Sequence, residues 1–114
     1  MLNNEDLIKK VRSYNRFFDP ETLTKAYNFA LSAHKYQRRD AGDPYISHPI
    51  AVADILTELK LDSATITTGL LHDTIEDTKA TYESVKQEFG SEVADLVDGV
   101  TKISAIEEKA IENS

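Results

Sequence analysis

Cysteine is absent from this 114-residue chain. That excludes disulfides, thiolate zinc sites, iron–sulfur clusters and a cysteine nucleophile. No run of about 18 apolar residues occurs, so no transmembrane helix is expected. There is no repeat, low-complexity tract or linker, and the length suits a single domain over residues 1–114. Basic residues are in deficit: 13 Lys plus Arg against 20 Asp plus Glu give a net charge of −7. This balance argues against unspecific binding to nucleic acid or to an anionic membrane. A small anionic ligand stays open, because a local basic cluster or a metal can reverse the field. The first six residues, Met1-Leu2-Asn3-Asn4-Glu5-Asp6, are polar and acidic, unlike a signal peptide, so a cytoplasmic location is expected. Hydrophobic residues at 40 % and charged residues at 29 % are ordinary for a folded protein.

What is present is helical patterning, which predicts an all-α fold. Leu7, Ile8 and Val11 mark a weak first helix. Asp19-Pro20-Glu21 reads as an N-cap, a first-turn proline and a first-turn acid. Leu23, Ala26, Tyr27, Ala30, Ala33 and His34 follow at spacings of three and four. Asp40-Ala41-Gly42-Asp43-Pro44 is turn chemistry. His48-Pro49 opens a helix carrying Ile50, Val52, Ala53, Ile55, Leu56 and Leu59. Asp62 caps a helix from Ser63 to about His72; its β-branched stretch from Thr65 to Thr68 makes a strand the weaker reading. Thr81 opens a short helix with Tyr82, Val85 and Phe89, closed by Gly90. Ser91 is expected to cap the next one, with Val93, Leu96, Val97 and Val100. Residues 103–114 are rich in Glu and Ala and thin in apolar side chains; they could be helical, with a weakly anchored end.

The chemistry-bearing residues cluster. His72-Asp73 sets an imidazole beside a carboxylate at a helix end, a donor pair that suits Mn, Fe or Zn. Neighbours on a helix diverge by about 100°, so convergence on one ion requires the helix to end there. A distant third ligand is needed, and His48, at a helix start after a loop, is the candidate. The alternative is a surface pair closing a helix. Glu76 and Asp77 form a second acidic pair that could position or deprotonate a water, or simply form a solvated turn. Lys35-Tyr36-Gln37-Arg38-Arg39 is the densest basic patch. Its two arginines suit bidentate phosphate binding or stacking on a base, or they decorate a helix C-terminus. His34, Tyr27 and Tyr45 read first as core residues.

Taken together, Ala33-His34-Lys35-Tyr36-Gln37-Arg38-Arg39, Gly42-Asp43-Pro44-Tyr45-Ile46-Ser47-His48-Pro49 and Leu70-Leu71-His72-Asp73-Thr74-Ile75-Glu76-Asp77-Thr78 resemble the N-terminal hydrolase domain of RelA/SpoT-type alarmone enzymes, a branch of the HD superfamily. Phe89-Gly90 and Val97-Asp98-Gly99-Val100-Thr101-Lys102 add to the resemblance, which spans roughly residues 14–112. It implies an all-α HD fold and one Mn²⁺. It also implies hydrolysis of the 3′-pyrophosphate of the guanine nucleotides ppGpp and pppGpp to GDP or GTP and pyrophosphate. Carried over by position, His48, His72 and Asp73 match metal ligands. Glu76 and Asp77 match the pair that activates water, and Arg39, with Arg38 beside it, matches the guanine contact.

Two departures accompany the resemblance. Asp40-Ala41 replaces the basic or small polar residues usual after the arginine. The fourth metal ligand, an Asp in a Leu-Ala-Asp-Arg-Leu-His-Asn-like stretch on a later helix, has no counterpart among these 114 residues, which read as a domain truncated before its last helices. On that view Ile50, Ile55, Leu70 and Val97 lose their cover, and the exposed surface favours a homo-oligomer, with residues 103–114 packing on another chain. A non-catalytic remnant and an HD phosphohydrolase for another nucleotide are the competing readings.

Overall fold

The computed structural model describes residues 2–38, 42 and 44–112, leaving aside the side chains of Asp77, Ser104 and Glu107. Among the described residues there are seven helices and no strand; an isolated bridge pairs Arg38 with Pro44.

Local chemistry sets the helix boundaries. Helix α1, Asn4–Arg12, begins in a capping box between Asn3 and Asp6 and buries Leu7 and Val11. Helix α2, Pro20–Ala33, starts as expected: the Asp19 side chain accepts the Glu21 N–H at 3.0 Å and Pro20 fills the first turn. Its buried residues, Leu23, Ala26 and Ala30, are small enough to bring it close to its neighbours.

Helices α3, Ser47–Glu58, and α4, Ser63–Leu71, form an antiparallel hairpin. The turn between them is a Schellman closure. Leu61 N–H donates to Leu56 O at 3.2 Å and Lys60 N–H to Thr57 O at 2.9 Å, with Lys60 in the left-handed region at φ 57°. Asp62 then caps α4 through Thr65 N–H at 2.8 Å. Ile66, Thr67, Thr68, Gly69, Leu70 and Leu71 are all buried, so α4 is the central helix, packed by α2, α3 and α7. The stretch from Thr65 to Thr68 is therefore helical. Thr68 Oγ1 donates back to Ala64 O at 2.8 Å, which keeps its hydroxyl satisfied inside the core.

A one-turn helix α5, Thr74–Asp77, follows directly. Helix α6, Tyr82–Phe89, is capped by Thr81, and Phe29 meets Phe89 edge-on at 5.5 Å. Gly90, at φ 89°, makes the sharp turn into α7, Ser91–Glu112. Two sequence expectations are corrected and one open reading is resolved. Ser91 is the first residue of α7 rather than its cap; Ala94 N–H bonds to Gly90 O at 3.2 Å. Residues 91–112 form one continuous helix, because nothing at Thr101 or Lys102 interrupts the backbone ladder. Ile50, Leu70 and Val97 are not uncovered: they lie at 2 %, 0 % and 0 % exposure inside the core. Only Ile55 of that set is exposed, at 60 %.

Two outcomes check this architecture. Leu70→Ala is expected to cost about 2–5 kcal/mol in urea unfolding and Ile55→Ala at most about 0.5 kcal/mol; equal losses would contradict the core assignment. The Asp62 carboxyl is held below its usual range by hydrogen bonds from the Thr65 side chain and backbone, which outweigh burial. A depressed folded value stabilises above the unfolded value of about 3.9 and loses that contribution as pH falls through the folded one. Asp62→Ala should therefore cost about 1 kcal/mol near neutrality, with the gap to the parent narrowing in acid. A gap that stays constant to pH 2 would show the carboxylate charge to be irrelevant to the cap.

Candidate metal centre

The α3–α4 hairpin places the first turn of α3 beside the end of α4. Gly69 makes this approach close: a Cβ there would stand 2.6 Å from Leu56 Cδ1 and 3.5 Å from Val52 Cγ1. His48, the second residue of α3, thereby faces His72, the C-cap of α4. Asp73 sits in the turn between α4 and α5, at φ −99° and ψ −2°, where the chain leaves the helical path. This break lets adjacent His72 and Asp73 converge instead of diverging.

The result is a compact donor set. His72 Nε2 lies 3.3 Å from His48 Nε2 and 3.0 Å from Asp73 Oδ2, and His48 Nε2 lies 3.3 Å from the same oxygen. Among the described residues these three form the one group of histidine and acidic side chains with ligand atoms all within 4.8 Å of one another. Bonds of about 2.0–2.2 Å to a single ion, set near right angles, separate ligand atoms by about 3 Å, so the triangle has the right size. The donor chemistry also fits. His72 Nδ1 donates to Gly69 O at 2.6 Å, which reserves Nε2 for a cation and fixes the ring.

Asp73 is suited to the same task. Burial pushes its carboxyl up, but the hydrogen bond and charge of His72, the Tyr45 hydroxyl and the charge of His48 pull it lower, and the net position is below the usual carboxylate range. It is therefore held ionised. Tyr45 Oη donates to Asp73 Oδ2 at 3.2 Å. Sequence reasoning read Tyr45 as a core aromatic and missed this contact; its place in the Gly42-Asp43-Pro44-Tyr45 segment was the available signal.

The remaining candidates divide. Glu76 is exposed on α5, one helical turn after Asp73, so the acidic pair begins at the edge of the triad. Asp77 ends α5, and its side chain lies outside the described residues, as does all of Arg39. Arg38 is exposed and its Nη1 donates to Gln37 O at 3.1 Å and Lys35 O at 3.5 Å, both in the turn that follows α2. His34 is buried, as its place on the apolar face predicts.

Comparison with known proteins identifies the family. Residues 26–114 match the HD domain family. A protein named GTP pyrophosphokinase rsh, from Brucella melitensis, is 46 % identical over 107 residues, covering 94 % of this chain and 14 % of its own length. The guanosine-3′,5′-bis(diphosphate) 3′-pyrophosphohydrolase of Aquifex aeolicus is 49 % identical over 106 residues, covering 93 % and 15 %. The bifunctional (p)ppGpp synthase/hydrolase SpoT of Escherichia coli is 47 % identical over 102 residues, covering 90 % and 14 %. The chain thus spans only about a seventh of the length of these relatives. A solved structure, described as a metazoan ortholog of SpoT that hydrolyses ppGpp, superposes with a TM-score of 0.69 at 34 % identity, over 74 % of this chain and 49 % of that one. The chain belongs to the HD domain family, in its RelA/SpoT-type branch.

Proposed function

We propose that this chain is the metal-binding part of a Mn²⁺-dependent pyrophosphohydrolase acting on ppGpp and pppGpp. The observation that carries the reading is the His48–His72–Asp73 triangle, with sides of 3.0–3.3 Å, set one turn before the Glu76-Asp77 pair. His48 Nε2, His72 Nε2 and Asp73 Oδ2 would hold the ion. A mixed imidazole and carboxylate set accommodates Mn²⁺, Fe²⁺ and Zn²⁺ alike, and the resemblance selects Mn²⁺. When bound, the ion offsets charge on the pyrophosphate and lowers the pKa of an adjacent water.

The chain's own residues supply the remainder. Glu76 and Asp77 accept the proton of the attacking water, whose oxygen joins the phosphorus next to the 3′ oxygen. The P–O3′ bond breaks, the 3′ oxygen takes a proton, and pyrophosphate leaves. Arg39, with Arg38 at the same loop mouth, contacts the guanine, and this basic patch offsets a net charge of −7 that would otherwise repel the substrate. The reading carries a cytoplasmic location with it; separately, no described helix is long and apolar enough to cross a membrane. With three of four carried-over ligands in the chain, turnover by these 114 residues is expected to be slow.

Pyrophosphate release from ppGpp, with and without Mn²⁺, tests the reading. The parent should show slow release that depends on Mn²⁺. Asp73→Ala and the Glu76→Gln, Asp77→Asn double variant should each lose at least about 100-fold, the lower range for general acid–base catalysis. Equal rates in parent and variants would remove the assigned roles. Release from another nucleotide but none from ppGpp would favour an HD phosphohydrolase of different substrate.

The homo-oligomer is likewise a proposal. Helix α7 carries exposed Leu96, Ile103, Ile106 and Ile111, at 42 %, 57 %, 68 % and 73 %. We expect a second copy to cover this stripe. Sedimentation at tens of micromolar should show association, abolished by Ile103→Glu with Ile106→Glu; a monomeric parent would overturn it.

A further inference from the structure

Tyr45 stands where three parts of the chain meet. Its backbone N–H donates to Gln37 O at 3.1 Å, closing the loop that follows α2. Its carbonyl accepts the His48 N–H at 3.0 Å, tying it to the start of α3. Its hydroxyl donates to Asp73 Oδ2 at 3.2 Å, the same oxygen that faces both histidine Nε2 atoms. A hydrogen bond to that oxygen sets which way the carboxylate is turned. It is useful only if the phenol ring is itself held.

His34 holds it. The imidazole lies flat against the Tyr45 ring, with centroids 4.6 Å apart and planes 26° from parallel. The His48 ring stands edge-on to Tyr45 at 6.2 Å. His34 is 1 % exposed, and its Nδ1 meets Gln37 Oε1 at 2.5 Å. Its Nε2 has no hydrogen-bond partner among the described residues. A buried orphan nitrogen is a cost that an aliphatic side chain would avoid. What the imidazole offers and an aliphatic chain does not is a flat face for Tyr45 and a polar atom for Gln37.

We propose that Tyr45, clamped by His34, is a positioning residue for Asp73: His34 fixes the phenol, and the phenol fixes the carboxylate oxygen that completes the donor triangle. This rests on reading His48, His72 and Asp73 as a metal site. Hydrogen-bonding partners of metal ligands are commonly worth about 10–100-fold in metal affinity or activity.

The test is Mn²⁺ affinity of the 114-residue chain, measured by calorimetry and by the electron paramagnetic resonance signal of free Mn²⁺. Tyr45→Phe, which keeps the stack and removes only the hydroxyl, should weaken binding by about 10-fold. His34→Leu should weaken it similarly, although His34 touches no ligand, and His34→Phe, which restores a flat ring, should recover most of the loss. The Tyr45→Phe, His34→Leu double variant should bind no more weakly than Tyr45→Phe, because both changes act on one hydrogen bond. Should His34→Leu fail to fold by circular dichroism, Tyr45→Phe and His34→Phe decide the matter. Unchanged affinity in Tyr45→Phe, additive losses in the double variant, or a parent that binds no Mn²⁺ would overturn the proposal. A parent that binds Mn²⁺ without hydrolysing ppGpp would refute the substrate assignment while the affinities still decide the role of Tyr45.

Discussion

The contact between α3 and α4 at Gly69 governs the rest of the molecule. With no Cβ at 69, Leu56 and Val52 of α3 lie directly against the α4 backbone. The freed Gly69 carbonyl is also the acceptor of His72 Nδ1. One position therefore sets the separation of the helices and the orientation of a metal ligand. The rotation of α4 about its own axis is fixed by Ile66, Leu70 and Leu71, each at 0 % exposure. A shift of α4 by a fraction of a turn would carry His72 away from His48 and leave buried cavities behind, so core packing and site geometry cannot be varied separately.

The electrostatics follow from this placement. Asp73, Glu76 and Asp77 fall within five residues of a chain that is already acidic overall. Unit charges about 4 Å apart repel by roughly 4 kcal/mol at an effective dielectric of 20. The local answer is a gathering of polar groups on one carboxylate: His72 Nε2, His48 Nε2 and the Tyr45 hydroxyl all face Asp73 Oδ2. These hold Asp73 ionised despite burial. A divalent cation is the natural completion of such a set, since it satisfies the carboxylate and both imidazole Nε2 atoms at once.

Much of the fold is legible in the sequence because its boundaries are local. Asp19, Asp62, Thr81 and Gly90 act where they stand, through side-chain caps or a left-handed backbone, and need no tertiary context. The features left open or misread are those where context decides. Residues 103–112 are thin in apolar side chains, yet they continue α7 because a helix once nucleated by the buried Val93, Ala94 and Val97 propagates at little cost. Ile50, Leu70 and Val97 looked dependent on later helices, whereas α2, α3, α4 and α7 cover one another. The donor residues His48, His72 and Asp73 are visible as chemistry, but their convergence is not. It depends on a Schellman turn built on Lys60, a residue that carries no left-handed signal of the kind Gly gives. The Tyr45–Asp73 bond spans 28 residues and is equally invisible in one dimension.

The segment following α2 would let the basic patch and the candidate metal centre work as one device. Gln37 closes the loop from its near side, through its carbonyl to Tyr45 N–H, and its side chain meets His34. Arg38 folds back on the Lys35 and Gln37 carbonyls of the turn that follows α2, so the basic patch starts from a fixed base. Tyr45 closes the far side of the loop, and its backbone and hydroxyl reach His48 and Asp73. The two ends of the loop are thus fastened to the same few atoms that build the donor triangle. An anion held by the loop and an ion held by the triangle would then be referenced to a common frame. The proposed cleavage of a phosphate ester bond needs that condition more than it needs any special reactivity, because most of its barrier is lowered by placing charge and water correctly.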